Sequence, residues 1–194
     1  GFTGIFDYEN GGGFLDRHFP RARKACWDFE GIYASSRHIP GVRFPGTIHP
    51  GLIGTLPSAD LLKTWNDREK KLFDTNPTRT PPLCTLPDGM AGTTTALMGG
   101  MTGADAKLAG EEAARTVPGR EHGGNCDIKN LSRGSKVFFP VYVDGAGLSM
   151  GDIHWSQGDG EITFCGAIEM AGWIDISVDI IKGGMEMYGV TNPI

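Results

Sequence analysis

The sequence lacks a basic excess, a long apolar run and a paired-cysteine motif, and each absence closes a class of function. Eighteen Lys and Arg stand against 23 Asp and Glu, a formal charge of −5, and the densest basic stretch is Arg21, Arg23 and Lys24. A phosphate-binding surface needs a basic excess or stripe, so no nucleic-acid partner is expected. The uncharged stretch that most invites a membrane reading, Met90 to Ala104, holds four Gly and four Thr in 15 residues. That is too short and too glycine-rich for a spanning helix, and no membrane partner is expected. The four cysteines, at 26, 84, 126 and 165, make no CxxC pair, and gaps of 58, 42 and 39 residues fit neither a zinc ribbon nor a small disulfide scaffold. Free thiols in a reducing compartment are the simpler reading.

What is abundant is glycine. Thirty Gly with 12 Pro make about one residue in five, spread among Trp, Phe, Ile and Val rather than confined to low-complexity runs. With 39% hydrophobic and 21% charged residues, this composition describes a globular chain with many tight turns. Dense turns imply short strands, so the expected class is α+β, mainly β, with antiparallel strands, Gly-rich turns and a few helices.

Along the chain, Gly1 to Pro57 reads as irregular, with turns at Gly11-Gly12-Gly13, Arg37 to Gly41 and Phe44-Pro45-Gly46. Ser58 to about Phe73 is the clearest helix: Ser58 is a capping residue, and Leu61, Leu62, Trp65, Leu72 and Phe73 recur near helical spacing. A proline-rich loop follows from Asn76 to Gly89, then a second helix from about Asp105 to Arg115. Lys136–Val143 and Glu161–Ile168 are β-prone. Ile174, Ile176, Val178 and Ile180 alternate with Asp175, Ser177 and Asp179, which predicts a strand with one wet face. The chain divides into a mixed loop and helix half, 1–118, and a β-rich half, 119–194, that carries the polar motifs. It opens at Gly1 in mid-motif and closes at Asn192-Pro193-Ile194, so a single partial region of a longer chain is expected.

Two segments concentrate polar side chains among glycines. In Gly119–Asp127, His122 and Asp127 flank a Gly-Gly-Asn turn that lets an imidazole and a carboxylate converge. In Gly151–Glu161, Asp152 and His154 are two apart and share one face of an extended strand, and Asp159 and Glu161 repeat that spacing. Such Asp/His pairs with a Glu suit a divalent ion held by nitrogen and oxygen. They suit equally a general base with an orienting partner, and neither segment matches a general metal motif such as HExxH. Cys126 with His122 as base is a rival nucleophile. Cys165 reads as buried and inert. Glu169 is a candidate acid in an apolar run, and His49 is a loop histidine of open orientation.

The runs GREHGGNCDIKNLSRGSKVFFPVYVDGAGLSMGDIHWSQGDGEITFCGAIEMAGW and IPGVRFPGTIHPGLIGTLPS resemble the acetamidase/formamidase family, above all its formamidase branch, and the resemblance extends over nearly all of the chain. It implies an enzyme that hydrolyses formamide, and other short aliphatic amides more weakly, to carboxylate and ammonia. It also implies a larger β-rich fold of which this chain is part, a homo-oligomer, and a cytoplasmic role in nitrogen metabolism. The matching motif positions are His122, Asn125 and Asp127, then Asp152, His154, Gln157, Asp159 and Glu161. The implied cofactor is a divalent metal, Zn²⁺ by type, held by His122, Asp127, Asp152 and His154. Glu161, His122, Asp159 and Cys126 are then the catalytic candidates, and Asn125, Gln157 and Trp155 the substrate-binding ones. A non-catalytic metal- or ligand-binding β domain is the alternative.

Overall fold

The computed structural model describes residues 1–5, 18, 20–21, 23–75, 86–87, 100–158, 160–161 and 168–194. Its centre is an antiparallel sheet. The strands are β1 (Phe2–Ile5), β2 (Arg23–Glu30), β3 (Tyr33–Ser36), β4 (Arg43–Pro45), β5 (His49–Gly54), β6 (Gly123–Asn125), β7 (Ser149–His154) and β8 (Glu169–Met170). They lie in the order β4-β3-β2-β1-β8-β7-β5-β6, and every pairing is antiparallel. Three helices accompany it: α1 (Ala59–Thr75), α2 (Gly103–Glu112) and α3 (Gly184–Tyr188). The α+β, mainly β, class expected from turn density is the class observed.

Two segments differ from their sequence reading. Gly1–Pro57 is not irregular, since it supplies five strands. These strands are short and broken by Gly and Pro, so no long alternation marks them. Conversely, Lys136–Val143 enters no strand; Phe138 only exchanges its two backbone hydrogen bonds with Ile194, at 2.9 and 3.0 Å. The alternating run 174–180 also enters no strand among the described residues, and Ile176, Val178 and Ile180 stand exposed. Alternation shows that a segment can be a strand; a ladder also needs a partner edge. The third predicted strand, 161–168, lies mostly outside the described residues, as do Gly11–Gly13, most of the 76–89 loop, Cys84 and Cys165.

The helix at 58–73 is observed as α1. Ser58 Oγ accepts from the Leu61 amide at 3.2 Å, the capping role its position predicted. Trp65, Arg68 and Glu69 share the face of α1 that meets the segment before β6. Glu69 holds Arg120 through both carboxylate oxygens, at 2.6 and 2.9 Å, and the pair is almost fully buried. The other arm of the guanidinium is tied to the Arg115 and Pro118 carbonyls at 2.7 and 3.2 Å. Such a pair fixes position strongly, because removing one partner strands a buried charge, at about 3–5 kcal/mol. Trp65, 2% exposed, donates through Nε1 to Glu121 at 2.7 Å, and Arg68 clamps the same carboxylate from 2.7 Å. Elsewhere Ala34, Trp155 and Ile168 form a small apolar core, flanked by Trp27, Phe44 and Met170. No helix among the described residues is long and apolar enough to cross a membrane.

The Arg68 hydrogen bonds outweigh the opposing effect of burial and, with Trp65, hold the Glu121 carboxyl down at about 2. A carboxylate lowered on folding stabilises the fold above its unfolded-state value and loses that contribution as pH falls toward the folded one. Glu121→Gln should therefore lower the urea midpoint at pH 7, and the gap to the wild type should close between about pH 4.5 and pH 2. A gap that stays constant in that range would show that the carboxylate charge contributes nothing.

Candidate metal centre

The sheet brings together carboxylates and an imidazole that the sequence holds apart. β5 lies between β6 and β7. On one side its Gly51 carbonyl accepts the amides of both Cys126 and Asp127, at 3.0 and 3.1 Å. On the other side the β5–β7 register runs from His49↔His154 to Gly54↔Ser149, which sets Gly51 opposite Asp152. Both aspartates take left-handed backbone angles, φ 47° at Asp127 and 55° at Asp152. Those angles are uncommon for residues other than glycine, although Asp and Asn tolerate them best. They turn both carboxylates over Gly51. A Cβ built there would lie 2.7 Å from Asp152 Oδ2 and 2.8 Å from Asp127 Oδ1, so the space they occupy exists only because residue 51 has no side chain.

His154, the last residue of β7, completes the group and is fully buried. One ligand atom from each of Asp127, Asp152 and His154 lies within 4.8 Å of the others. His154 Nε2 is 3.4 Å from Asp152 Oδ2, and its Nδ1 is 3.9 Å from Asp127 Oδ1. Asp152 and His154 do meet, but with Asp152 at φ 55° its turned backbone, rather than the alternation of an extended strand, brings them together. Neither Asp127 Oδ1 nor His154 Nε2 has a hydrogen-bond partner, although both are buried. Buried polar atoms are almost always paired, and a divalent ion is the partner that two carboxylates and an imidazole suit. The donor set fits such an ion.

The electrostatics of the group point the same way. Burial pushes the Asp127 carboxyl well above the usual carboxylate range, helped by a hydrogen bond and repulsion from Glu161 and opposed by His154. Burial would depress His154, but its close contacts with Asp152 and Gln157 and the charge of both aspartates raise it to about 9. Glu169, on β8 opposite His154, is raised by burial and by Asp152. Negative charge is thus crowded around one imidazole, an arrangement that a cation relieves.

The other site candidates fall elsewhere or in supporting places. His122 is not in the group: its ring lies 4.6 Å from that of Trp65, its Nδ1 is buried without a partner, and burial lowers its pKa. The Gly-Gly turn that follows does fold tightly, with Gly123 at φ 101° under the Ile53 carbonyl, but it carries Asp127 to the cluster and leaves His122 against α1. Cys126 is half-buried, its thiol 3.9 Å from the Ile53 carbonyl, and burial and Asp127 push its pKa up. Asn125 donates to the Val117 carbonyl at 2.7 Å. Trp155 belongs to the apolar core, stacked on Phe29 at 4.5 Å. Gln157 is buried between His154, His49 and the Asp127 main chain. Asp159 lies outside the described residues. Two contributors carried little sequence signal. Gly51 is one of thirty glycines, and His49 is no loop residue but part of β5, 1% exposed, with Nδ1 donating to the Thr47 carbonyl at 2.7 Å.

Against known proteins, the whole chain, residues 1–194, matches the family model described as the Acetamidase/Formamidase family. It is 61% identical over 194 residues to a formamidase of Methylophilus methylotrophus, and 59% identical over 196 residues to an acetamidase of Mycolicibacterium smegmatis. In each case all of this chain aligns with 47% of the relative, so the chain spans about half the length of these curated relatives. Among solved structures it resembles a gamma lactamase from Delftia acidovorans, with a TM-score of 0.86 and 63% identity, covering all of this chain and 47% of that one.

Replacing Gly51 by alanine should drive the two carboxylates apart. Divalent-ion affinity, measured by calorimetry, should fall by roughly 10–100-fold, the scale seen when the surroundings of metal ligands are disturbed. Unchanged affinity in Gly51→Ala would mean that the carboxylates do not act over this residue.

Proposed function

The chain belongs to the acetamidase/formamidase family, and on that premise we propose that it carries the divalent-metal centre of an amidohydrolase. The reaction is hydrolysis of a short aliphatic amide, formamide first and acetamide more weakly, to the carboxylate and ammonia. The observation that carries this reading is the pair of buried, partnerless ligand atoms, Asp127 Oδ1 and His154 Nε2, converging with Asp152. The relatives named formamidase and acetamidase supply the substrate class. The family reading carries with it a homo-oligomer and a cytoplasmic role in nitrogen metabolism.

An amide is a poor electrophile: water must be activated, the carbonyl polarised and the leaving nitrogen protonated. Asp127, Asp152 and His154 would hold the ion, and their mixed nitrogen and oxygen donors suit Zn²⁺. A bound ion of this kind supplies carbonyl polarisation and a more acidic water. Glu161, hydrogen-bonded to Asp127, is the proton carrier: it takes the proton from the attacking water and returns it to the departing ammonia. A cramped site would select formamide, and since one methylene is worth only ~1–3 kcal/mol, some acetamide turnover would accompany it. Cys126 is the weaker nucleophile because its thiol is pushed away from ionisation.

The test is ammonia release from formamide and acetamide by the complete protein, before and after chelation. Chelation should abolish release and Zn²⁺ restore it; release indifferent to chelation would overturn the metal reading and return the nucleophile to Cys126. Glu161→Gln should retain bound metal while kcat falls by roughly 10²–10⁴-fold, the usual worth of a general acid–base group. Near-normal activity in that variant would remove Glu161 from the proton path.

A further inference from the structure

We propose that Gln157 is a positioning residue and not a substrate contact: it holds His154 with Nδ1 protonated and Nε2 turned toward Asp152. The hydrogen bonds fix this assignment by elimination. The nitrogen of the Gln157 amide donates to the backbone carbonyl of Asp127. A carbonyl only accepts, so that end of the amide is the NH₂ group and the other end is Oε1. Oε1 in turn only accepts, and it lies 3.0 Å from His154 Nδ1, so Nδ1 carries a proton. The ring atom left to act as a ligand is Nε2, the one that is buried and partnerless.

The same side chain grips both ends of the cluster. It fixes the Asp127 main chain where φ is 47°, and it fixes the ring of His154 three residues before it. His49 packs beside the arrangement, its ring edge-on to His154 at 5.3 Å. Gln157 is only 9% exposed, and both ends of its amide are engaged within the protein. Histidine ligands are commonly oriented through the ring nitrogen that does not bind the metal. This inference rests on the reading that Asp127, Asp152 and His154 hold a divalent ion.

The experiment compares the wild type with Gln157→Met and Gln157→Glu in the complete protein. Three properties are measured: Zn²⁺ affinity by calorimetry, kcat and KM for formamide at saturating Zn²⁺, and the hydrogen-bonded Nδ1–H resonance of His154 in protein labelled with ¹⁵N-histidine. In Gln157→Met, Zn²⁺ affinity should fall by roughly 10–100-fold, kcat should fall, KM should hold, and the Nδ1–H resonance should be lost. Gln157→Glu keeps an acceptor for Nδ1 and should recover part of the affinity and the resonance. A raised KM with unchanged Zn²⁺ affinity would make Gln157 a substrate contact and overturn the inference. If the wild type binds no divalent ion, the functional reading fails by itself and the resonance still decides. Its presence in the wild type and loss in Gln157→Met supports the positioning role, and its persistence in both overturns it.

Discussion

The site depends on a residue that has no side chain. Gly51 sits in the strand that β6 and β7 share, so whatever those strands carry at its level must meet above it. The Gly51 carbonyl takes two successive amides of the segment leaving β6, which curls Asp127 inward. Across the other ladder, Asp152 leaves the regular extended conformation at the position opposite. The cluster is therefore made by a local failure of two ladders at one point, and the absent Cβ lets that failure be filled with carboxylates. Strand interiors usually place glycine where something must approach the backbone closely, and here the approaching groups are charged.

The rest of the described structure acts as a frame for that point. Its buried residues include as much polar as apolar chemistry: His49, Thr55, Glu69, His154 and Gln157 stand beside Ala34, Ile53, Trp65, Trp155 and Ile168. Interiors of this kind hold together only when the polar groups are paired in fixed directions. Arg120, with Glu69 on one side and two carbonyls on the other, ties α1 to the turn that delivers β6. Thr55 extends the same frame by donating to the Pro140 carbonyl at 2.8 Å. Directional contacts resist sliding in a way that a purely apolar interface does not, which suits a centre whose donor atoms must keep their spacing.

How much of this was legible from the residues follows from what each signal encodes. The α1 helix was plain, because capping and 3.6-residue spacing are local properties. The polar motifs are plain as well and contain Asp127, Asp152 and His154, but the left-handed turn at Asp152 that brings it to His154 leaves no mark in the spacing. A flexible Gly-Gly turn permits His122 to converge in either direction, and only the position of Trp65 on α1 decides which way the ring falls. The strands before residue 58 were hidden by their brevity. The runs at 136–143 and 174–180 had strand composition, but pairing is a property of two segments and cannot be read from one. Gly51 and His49 carried no signal beyond their types, since their importance comes from register.

Left-handed backbone at a residue other than glycine costs about 1–3 kcal/mol, and Asp127 and Asp152 both bear it while crowding like charges together. The chain thus keeps a reserve of unrealised stability at the place where it is most useful. Selection for heat tolerance alone would draw substitutions toward these two positions, glycine or asparagine relaxing the angle and a neutral side chain the repulsion. The hardiest descendants of such a selection would have lost the carboxylates of the proposed centre. On the function proposed above, hardiness and catalytic competence would compete for the same two residues, and improving either one would mean guarding those positions from the other.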